Sequence, residues 1–204
     1  GYKVFVQAVS VTSYNDEEFA MLLKRVNEVK PYAFSIVDTY GLLHKNQLIH
    51  YFKMADCGLV EEISLGYHSH NNFQLGYANC IELVEKKIKR QLLLDGSLYG
   101  MGKGAGNTPI ELLAMYMHEN YGGRYHISQL LEAIDVTIQD CYRATPWGYG
   151  LKFFIAASND CHPNYVTALM EKKKLSVKSV NEILQTIPKD RKLIYDAEFI
   201  ENLY

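Results

Sequence analysis

Between residues 3 and 120 the sequence alternates four times between a short apolar segment and a longer one whose apolar residues fall at helical spacing. Repeats of that kind, each about 30 residues long, require parallel strands joined by helices, because a parallel crossover needs a helix to carry the chain back. The first segment, residues 3–12 (KVFVQAVSVT), is almost continuously apolar and predicts a strand buried on both faces. Asn15 or Asp16 can cap a helix over 17–29, where Phe19, Leu22, Leu23, Val26 and Val29 share one face. The pattern then repeats as strand 32–38 and helix 44–55, strand 63–70 and helix 73–87, strand 91–98 and helix 108–120. Pro109 falls in the first turn of the last helix, where its missing N–H does no harm. Periodicity alone leaves two architectures open, a doubly wound sheet and part of a barrel.

After Gly122 and Gly123 the strand pattern stops. Helices are predicted over 126–141, 151–158, 163–173 and 177–187, with a short one near Ala197, so residues 1–122 and 123–204 form the two predicted domains. A hydrophobic content of 48% supplies a real core. The net charge of −2 gives no long-range attraction to nucleic acid or an anionic membrane, and the one basic patch, Lys86 to Lys89 followed by Arg90, is short. No apolar stretch approaches the roughly 20 residues that span a bilayer, and the start, GYKV, is unlike a signal peptide. Cys57, Cys80, Cys141 and Cys161 are widely spaced without a C-x-x-C pair, which predicts reduced thiols, small core residues and a cytoplasmic location.

In parallel α/β folds functional groups collect at the carboxyl ends of the strands. Here those ends read Asp38-Thr39-Tyr40-Gly41, His68-Ser69-His70-Asn71-Asn72 and Asp95-Gly96-Ser97, the last leading into GMGKGAGN (100–107). His68 and His70 are two apart, so on a strand both imidazoles leave from one face. Such a pair can chelate Mn²⁺, Fe²⁺ or Zn²⁺, and Mg²⁺ in an oxygen-rich shell; it can equally be two polar residues at a strand end. Asp38 and Asp95 can each act as ligand, acid/base or histidine partner, and for Asp95 the structural role is favoured. Alternate glycines in 100–107 permit positive φ and close approach of the backbone to a ligand, or simply tight helix–strand packing. Gly100, Gly102 and Ala105 satisfy G-x-G-x-x-G/A, but no strand follows, and Lys103 lacks the Ser or Thr of a P-loop. His44, His50, His118, His126 and His162 have no companions at ligand spacing and are predicted to lie on the surface or at caps.

The ordered set DTYG (38–41), GYHSHNN (66–72), LDGSLYGMGKGAGN (94–107) and the following IELL resembles the carboxyl half of the 4-hydroxy-2-oxovalerate aldolase-like enzymes. These metal-dependent pyruvate aldolases share a TIM-barrel superfamily with 3-hydroxy-3-methylglutaryl-CoA lyase and 2-isopropylmalate synthase. The resemblance implies an α/β fold made of strands 5 to 8 of a (β/α)8 barrel, followed by an α-helical C-terminal domain. It implies that His68 and His70 ligate the catalytic metal, with Asn107 as ligand or neighbour. It implies that Thr39 contacts the keto-acid end of the substrate, and that Tyr149, in WGYG (147–150), is the tyrosine that the helical domain contributes to catalysis. Mn²⁺ is the implied metal, with Mg²⁺, Zn²⁺ or Co²⁺ as substitutes.

The implied activity is a lyase reaction on a 4-hydroxy-2-oxo acid that yields pyruvate and an aldehyde through an enolate. The acyl-CoA lyase branch carries a cysteine in the glycine loop, and 100–107 has none. A Claisen-type acyltransferase of the isopropylmalate synthase kind, and a non-catalytic half barrel serving as an interaction module, are the rival readings. Family members open with an Asp-x-Thr-x-Arg-Asp-Gly type strand that supplies a third metal ligand and an arginine, and no such segment occurs in the 204 residues. A full barrel takes about 250 residues, so the chain is expected to be part of an enzyme of roughly 330 residues and inactive alone. Its open strand edges are expected to need the missing half barrel or a second copy. A homodimer and an aldehyde dehydrogenase partner are further family possibilities.

Overall fold

The computed structural model describes residues 1–172 and 175–203. Strands β1 (Phe5–Ala8), β2 (Ala33–Asp38), β3 (Ser64–Ser69) and β4 (Leu92–Leu94) form one sheet in the order 1-2-3-4, every neighbouring pair parallel. Helices α1 (Asp16–Val29), α2 (Lys45–Gly58) and α3 (Gly76–Glu85) make the crossovers, and α4 (Ile110–Tyr121) follows β4. Sequential order without reversal differs from a doubly wound sheet, whose strand order turns back at a switch point.

Helix α1 starts where its capping chemistry dictates. Asn15 accepts from the Glu18 N–H while Glu18 reaches back to the Asn15 N–H, and Asp16, Glu17 and Glu18 place three acids in the first turn of α1. Phe19, Leu23 and Val26 of α1 then pack with Leu48, Phe52 and Ala55 of α2 and with Phe34, Ile36, Leu65 and Tyr67 of the central strands. All six residues of β2 are buried.

β1 departs from expectation. It spans four residues instead of the ten of 3–12, and only Ala8 is buried, because β1 pairs with β2 alone and its other edge is open. Ser10, at φ 51°, turns the chain into the 3-10 turn Val11–Ser13. Pro109 caps α4 from outside rather than occupying its first turn.

The strands end where the sequence places the change to helices alone, but compactness divides the chain later, into units 1–148 and 149–204. Helix α5 (Ile127–Ala133) runs through a π-helical turn, Ile134–Ile138, into α6 (Gln139–Ala144), and this segment packs on α4 and on the 3-10 turn Leu98–Gly100. The second unit contains α7 (Leu151–Ser158), α8 (Pro163–Thr167) with a π turn at Ala168–Lys172, α9 (Val177–Thr186), α10 (Lys189–Lys192) and α11 (Ala197–Asn202). The last residue of the helix predicted over 163–173 lies outside the described residues, and α10 has no counterpart in the sequence reading. Tyr165, Val166, Leu169, Val180, Leu184 and Ile200 form this unit's core. Among the described residues no helix is long and apolar enough to cross a membrane.

All four thiols are free, but only Cys80 and Cys161 are buried; Cys57 and Cys141 face solvent and are not core residues. Arg90, read from sequence as the end of a basic patch, is a rivet. Its side chain is 8% exposed and pairs with Asp56 at 2.6 Å. Its guanidinium also donates to the carbonyls of Asp56, Leu59, Val60 and Ile63, closing the end of α2 and the loop after it. Arg90→Ala strands those carbonyls and is expected to lower unfolding stability by about 2 to 3 kcal/mol, measured as a fall in urea midpoint at unchanged slope.

Candidate active site at the strand ends

The β2–β3 register pairs Val37 with His68 and Asp38 with Ser69, so the polar residues that follow both strands emerge together. The His68 and His70 rings lie 5.4 Å apart, nearly edge to face. Nδ1 of His68 meets the Asp95 carboxylate at 3.2 Å, which holds the ring and leaves Nε2 free. Asp95 is thus the histidine's partner, although at 39% side-chain exposure it is only partly covered. The His70 ring bonds the Gly106 backbone; burial, aided by the charges of His68 and Lys103, nevertheless pulls its pKa below the usual histidine range. A neutral imidazole with one nitrogen engaged is the form that ligates a metal.

Asn107 faces His70 across an isolated antiparallel bridge. Its Nδ2 donates to the Met101 carbonyl at 3.0 Å, while Oδ1 is buried without a hydrogen-bond partner. An orphaned buried acceptor costs free energy unless a ligand or water meets it. The glycine loop forces this placement. Gly100, Gly104 and Gly106 all have positive φ, and a Cβ on Gly102 would lie 2.8 Å from Asn107 Nδ2. Two imidazoles and an amide oxygen form a donor set that fits a divalent cation. Among the described residues no group of three or more His, Cys, Asp and Glu could hold one.

Asp38 is buried and organises its own loop. Its carboxylate accepts from the N–H groups of Leu42 at 2.7 Å and Leu43 at 3.1 Å, and its carbonyl from those of Gly41 and His70. Burial pushes its pKa up to about 7, outweighing those backbone hydrogen bonds and the charge of His68. The Thr39 hydroxyl accepts from the Ser10 N–H at 2.7 Å, which leaves its own hydrogen to donate. Tyr149 opens the second unit and is 63% exposed. The other histidines lie at helix caps (His44, His126, His162), beside Asp16 (His50) and against the Gly123 carbonyl (His118).

Sequence reasoning did not single out Tyr99, Tyr142 and Trp147, which gather beside the glycine loop. They are scattered along the chain and share no period. The His68–Asp95 pairing was within reach, because Tyr67 is in register with Leu94 and each of the two residues follows directly.

A sequential parallel sheet with two histidines over its carboxyl end is an α/β arrangement of the kind in which functional groups collect at the strand ends. The chain belongs to the HMGL-like family, which matches residues 2–138, and its α/β fold is that of this TIM-barrel superfamily. It is 28% identical over 151 residues to an oxaloacetate decarboxylase of Mycobacterium tuberculosis, covering 74% of this chain and 43% of that protein. It is 38% identical over 86 residues to a 4-hydroxy-2-oxovalerate aldolase of Marinomonas, covering 40% and 24%. The N-terminal domain of a proposed aldolase from Bacteroides vulgatus has the same fold, at a TM-score of 0.72 and 24% identity over 87% of this chain and 56% of that one. The chain spans less than half the length of the curated relatives it matches.

Two outcomes follow from this geometry. Between the ordinary aspartate pKa of 3.8 and about 7, folded Asp38 holds a proton that the unfolded chain releases, so its contribution to stability falls as pH rises through that window and is flat above it. Asp38→Asn cannot ionise, and its unfolding free energy relative to the parent should therefore climb from pH 4 to 7, read by urea denaturation at each pH. Gly102→Ala should displace the Asn107 amide, since its Cβ would lie 2.8 Å from Nδ2, read as a shift of the Asn107 side-chain NH₂ resonances in a ¹⁵N-labelled sample.

Proposed function

We propose that the chain supplies strands five to eight of a (β/α)8 barrel and a helical C-terminal domain to a divalent-metal lyase. The enzyme cleaves a 4-hydroxy-2-oxo acid to pyruvate and an aldehyde. The observation that carries this reading is the strand-end triad: two imidazoles, each with one nitrogen engaged by Asp95 or the Gly106 backbone, beside an Asn107 oxygen without a partner. His68, His70 and Asn107 would hold the metal. When bound it supplies Lewis-acid stabilisation of the negative charge that develops on the 2-oxo group as the carbon–carbon bond breaks.

The protein's own residues do the rest. Asp95 keeps the proton of His68 on Nδ1, which directs the Nε2 lone pair outward. Thr39, its oxygen taken by the Ser10 N–H, donates its hydrogen to the substrate carboxylate. We assign the 4-hydroxyl proton to Tyr149: its phenolate takes that proton as the carbon–carbon bond breaks, and the phenol so formed gives it to the enolate carbon, making the methyl group of pyruvate.

A second reading is supported by the oxaloacetate decarboxylase relative, whose match spans 74% of the chain. Decarboxylation produces the same enolate, with carbon dioxide leaving in place of the aldehyde, and asks nothing of Tyr149 until the enolate is protonated.

Mn²⁺ titration of the chain tests the triad. His68→Ala and His70→Ala should each weaken binding at least 100-fold, and unchanged affinity would remove the ligand assignment. With the whole protein, pyruvate released together with an aldehyde from 4-hydroxy-2-oxopentanoate supports the aldolase. Pyruvate and carbon dioxide from oxaloacetate alone support the decarboxylase, and consumption of acetyl-CoA would establish the Claisen reaction instead.

A further inference from the structure

Beside the triad lies a cleft of about 210 Å³ that the reaction as derived leaves unused; Tyr99, Tyr142 and Trp147 line it together with the amides of Asn71, Gln74 and Asn107. The three rings meet edge to face, with centroids 5.3 Å apart for Tyr99–Tyr142, 5.0 Å for Tyr142–Trp147 and 6.4 Å for Tyr99–Trp147. The wall is held in place. The Trp147 indole N–H donates to the Tyr99 carbonyl at 2.8 Å, and the Gly148 N–H to the Gly104 carbonyl at 3.1 Å.

Tyr99 sits at φ 55°, ψ 25°, a left-handed conformation that costs a non-glycine residue of order 1 kcal/mol and persists only where surroundings impose it. Its N–H is held by the Glu111 carboxylate at 3.0 Å, and the residue is nevertheless 45% exposed beside the cleft. A half-exposed aromatic residue fixed in this way on the wall of a cleft offers its ring to a ligand. The cleft's lining contains no charged residue, which disfavours a carboxylate, phosphate or ammonium as occupant. Its volume exceeds the roughly 150 Å³ that accepts a benzene ring. Asn107 belongs both to this cleft and, through its bridge to His70, to the triad.

We propose that the cleft binds a flat, uncharged aryl group: the substituent on the aldehyde side of the substrate, away from its carboxylate and keto group. This assignment of substrate class rests on the lyase reading above. Trp147 is the chain's only tryptophan, so its single indole N–H resonance in a ¹⁵N-labelled sample reports on the cleft directly. In the presence of Mg²⁺, 4-hydroxy-2-oxo-4-phenylbutanoate should shift that resonance saturably and bind at least tenfold tighter than 4-hydroxy-2-oxopentanoate. Benzyl alcohol, which lacks the keto acid, should shift it more weakly. Tyr142→Ala should weaken binding of the phenyl acid at least fivefold, and Tyr142→Phe, which keeps the ring, should retain it within about twofold.

If benzyl alcohol binds the cleft as well as the phenyl acid does, the aryl site stands and the lyase reading falls. If metal and pyruvate bind through His68 and His70 while no aryl compound moves the indole resonance, the lyase reading stands and the aryl site is overturned. An affinity for the phenyl acid that is unchanged in Tyr142→Ala overturns it as well.

Discussion

The parallel ladder between β2 and β3 is the interaction on which the rest depends. It runs for six residues, Ala33 paired with Ser64 through Asp38 paired with Ser69, and β2 is buried along its whole length. A slip of one residue would turn every side chain to the opposite face. In the observed register the ladder brings Asp38 level with the segment that carries both histidines. The Asp38 carbonyl then accepts from His70, and its carboxylate gathers the amides that open the next loop. One buried acid therefore ties the ends of two strands together, at the cost of a desolvation that lifts its pKa to about 7.

The glycine loop works differently from a phosphate cradle. The N–H groups of Gly100, Gly106 and Asn107 are spent within the segment on Ser97, Lys103 and Gly100, so the nest of free amides that an anion needs is absent from these positions. What the glycines allow is compactness. A Cβ on Gly106 would lie 2.3 Å from the Gly100 carbonyl oxygen, and only with that close approach does Asn107 reach the bridge to His70. The resemblance to a dinucleotide fingerprint is therefore one of composition, and the physical role is to fold a loop back over a strand end.

The aromatic cluster extends the same loop outward. Trp147 reaches Tyr99 along the hydrogen bond from its indole nitrogen, linking residues that stand 48 positions apart in the chain. The helix that carries Tyr142 contains a π turn at Ile134–Ile138, and such turns shift the facing of the residues that follow them. A cleft built this way draws on three separate stretches of chain, held by one loop and one helix.

Much of this was legible in the sequence because it rests on local rules. The alternation of strand and helix, the capping by Asn15 and the two-residue spacing of His68 and His70 each follow from backbone geometry within a few residues, as does the positive φ at Gly100, Gly104 and Gly106. The motif set around residues 38, 68 and 100 carried the family as well. Other features needed neighbours that the sequence does not announce. The shortness of β1 follows from its having a strand on one side only, and the conversion of Arg90 from a basic surface residue to a buried clasp follows from where α2 ends. Tertiary structure alone decided which nitrogen of His68 is engaged, why the Asn107 oxygen is left without a partner, and that three scattered aromatic rings share a wall. Sequence spacing sets which residues leave a strand on the same face, but burial, hydrogen-bond pairing and contact between distant segments depend on how the elements pack.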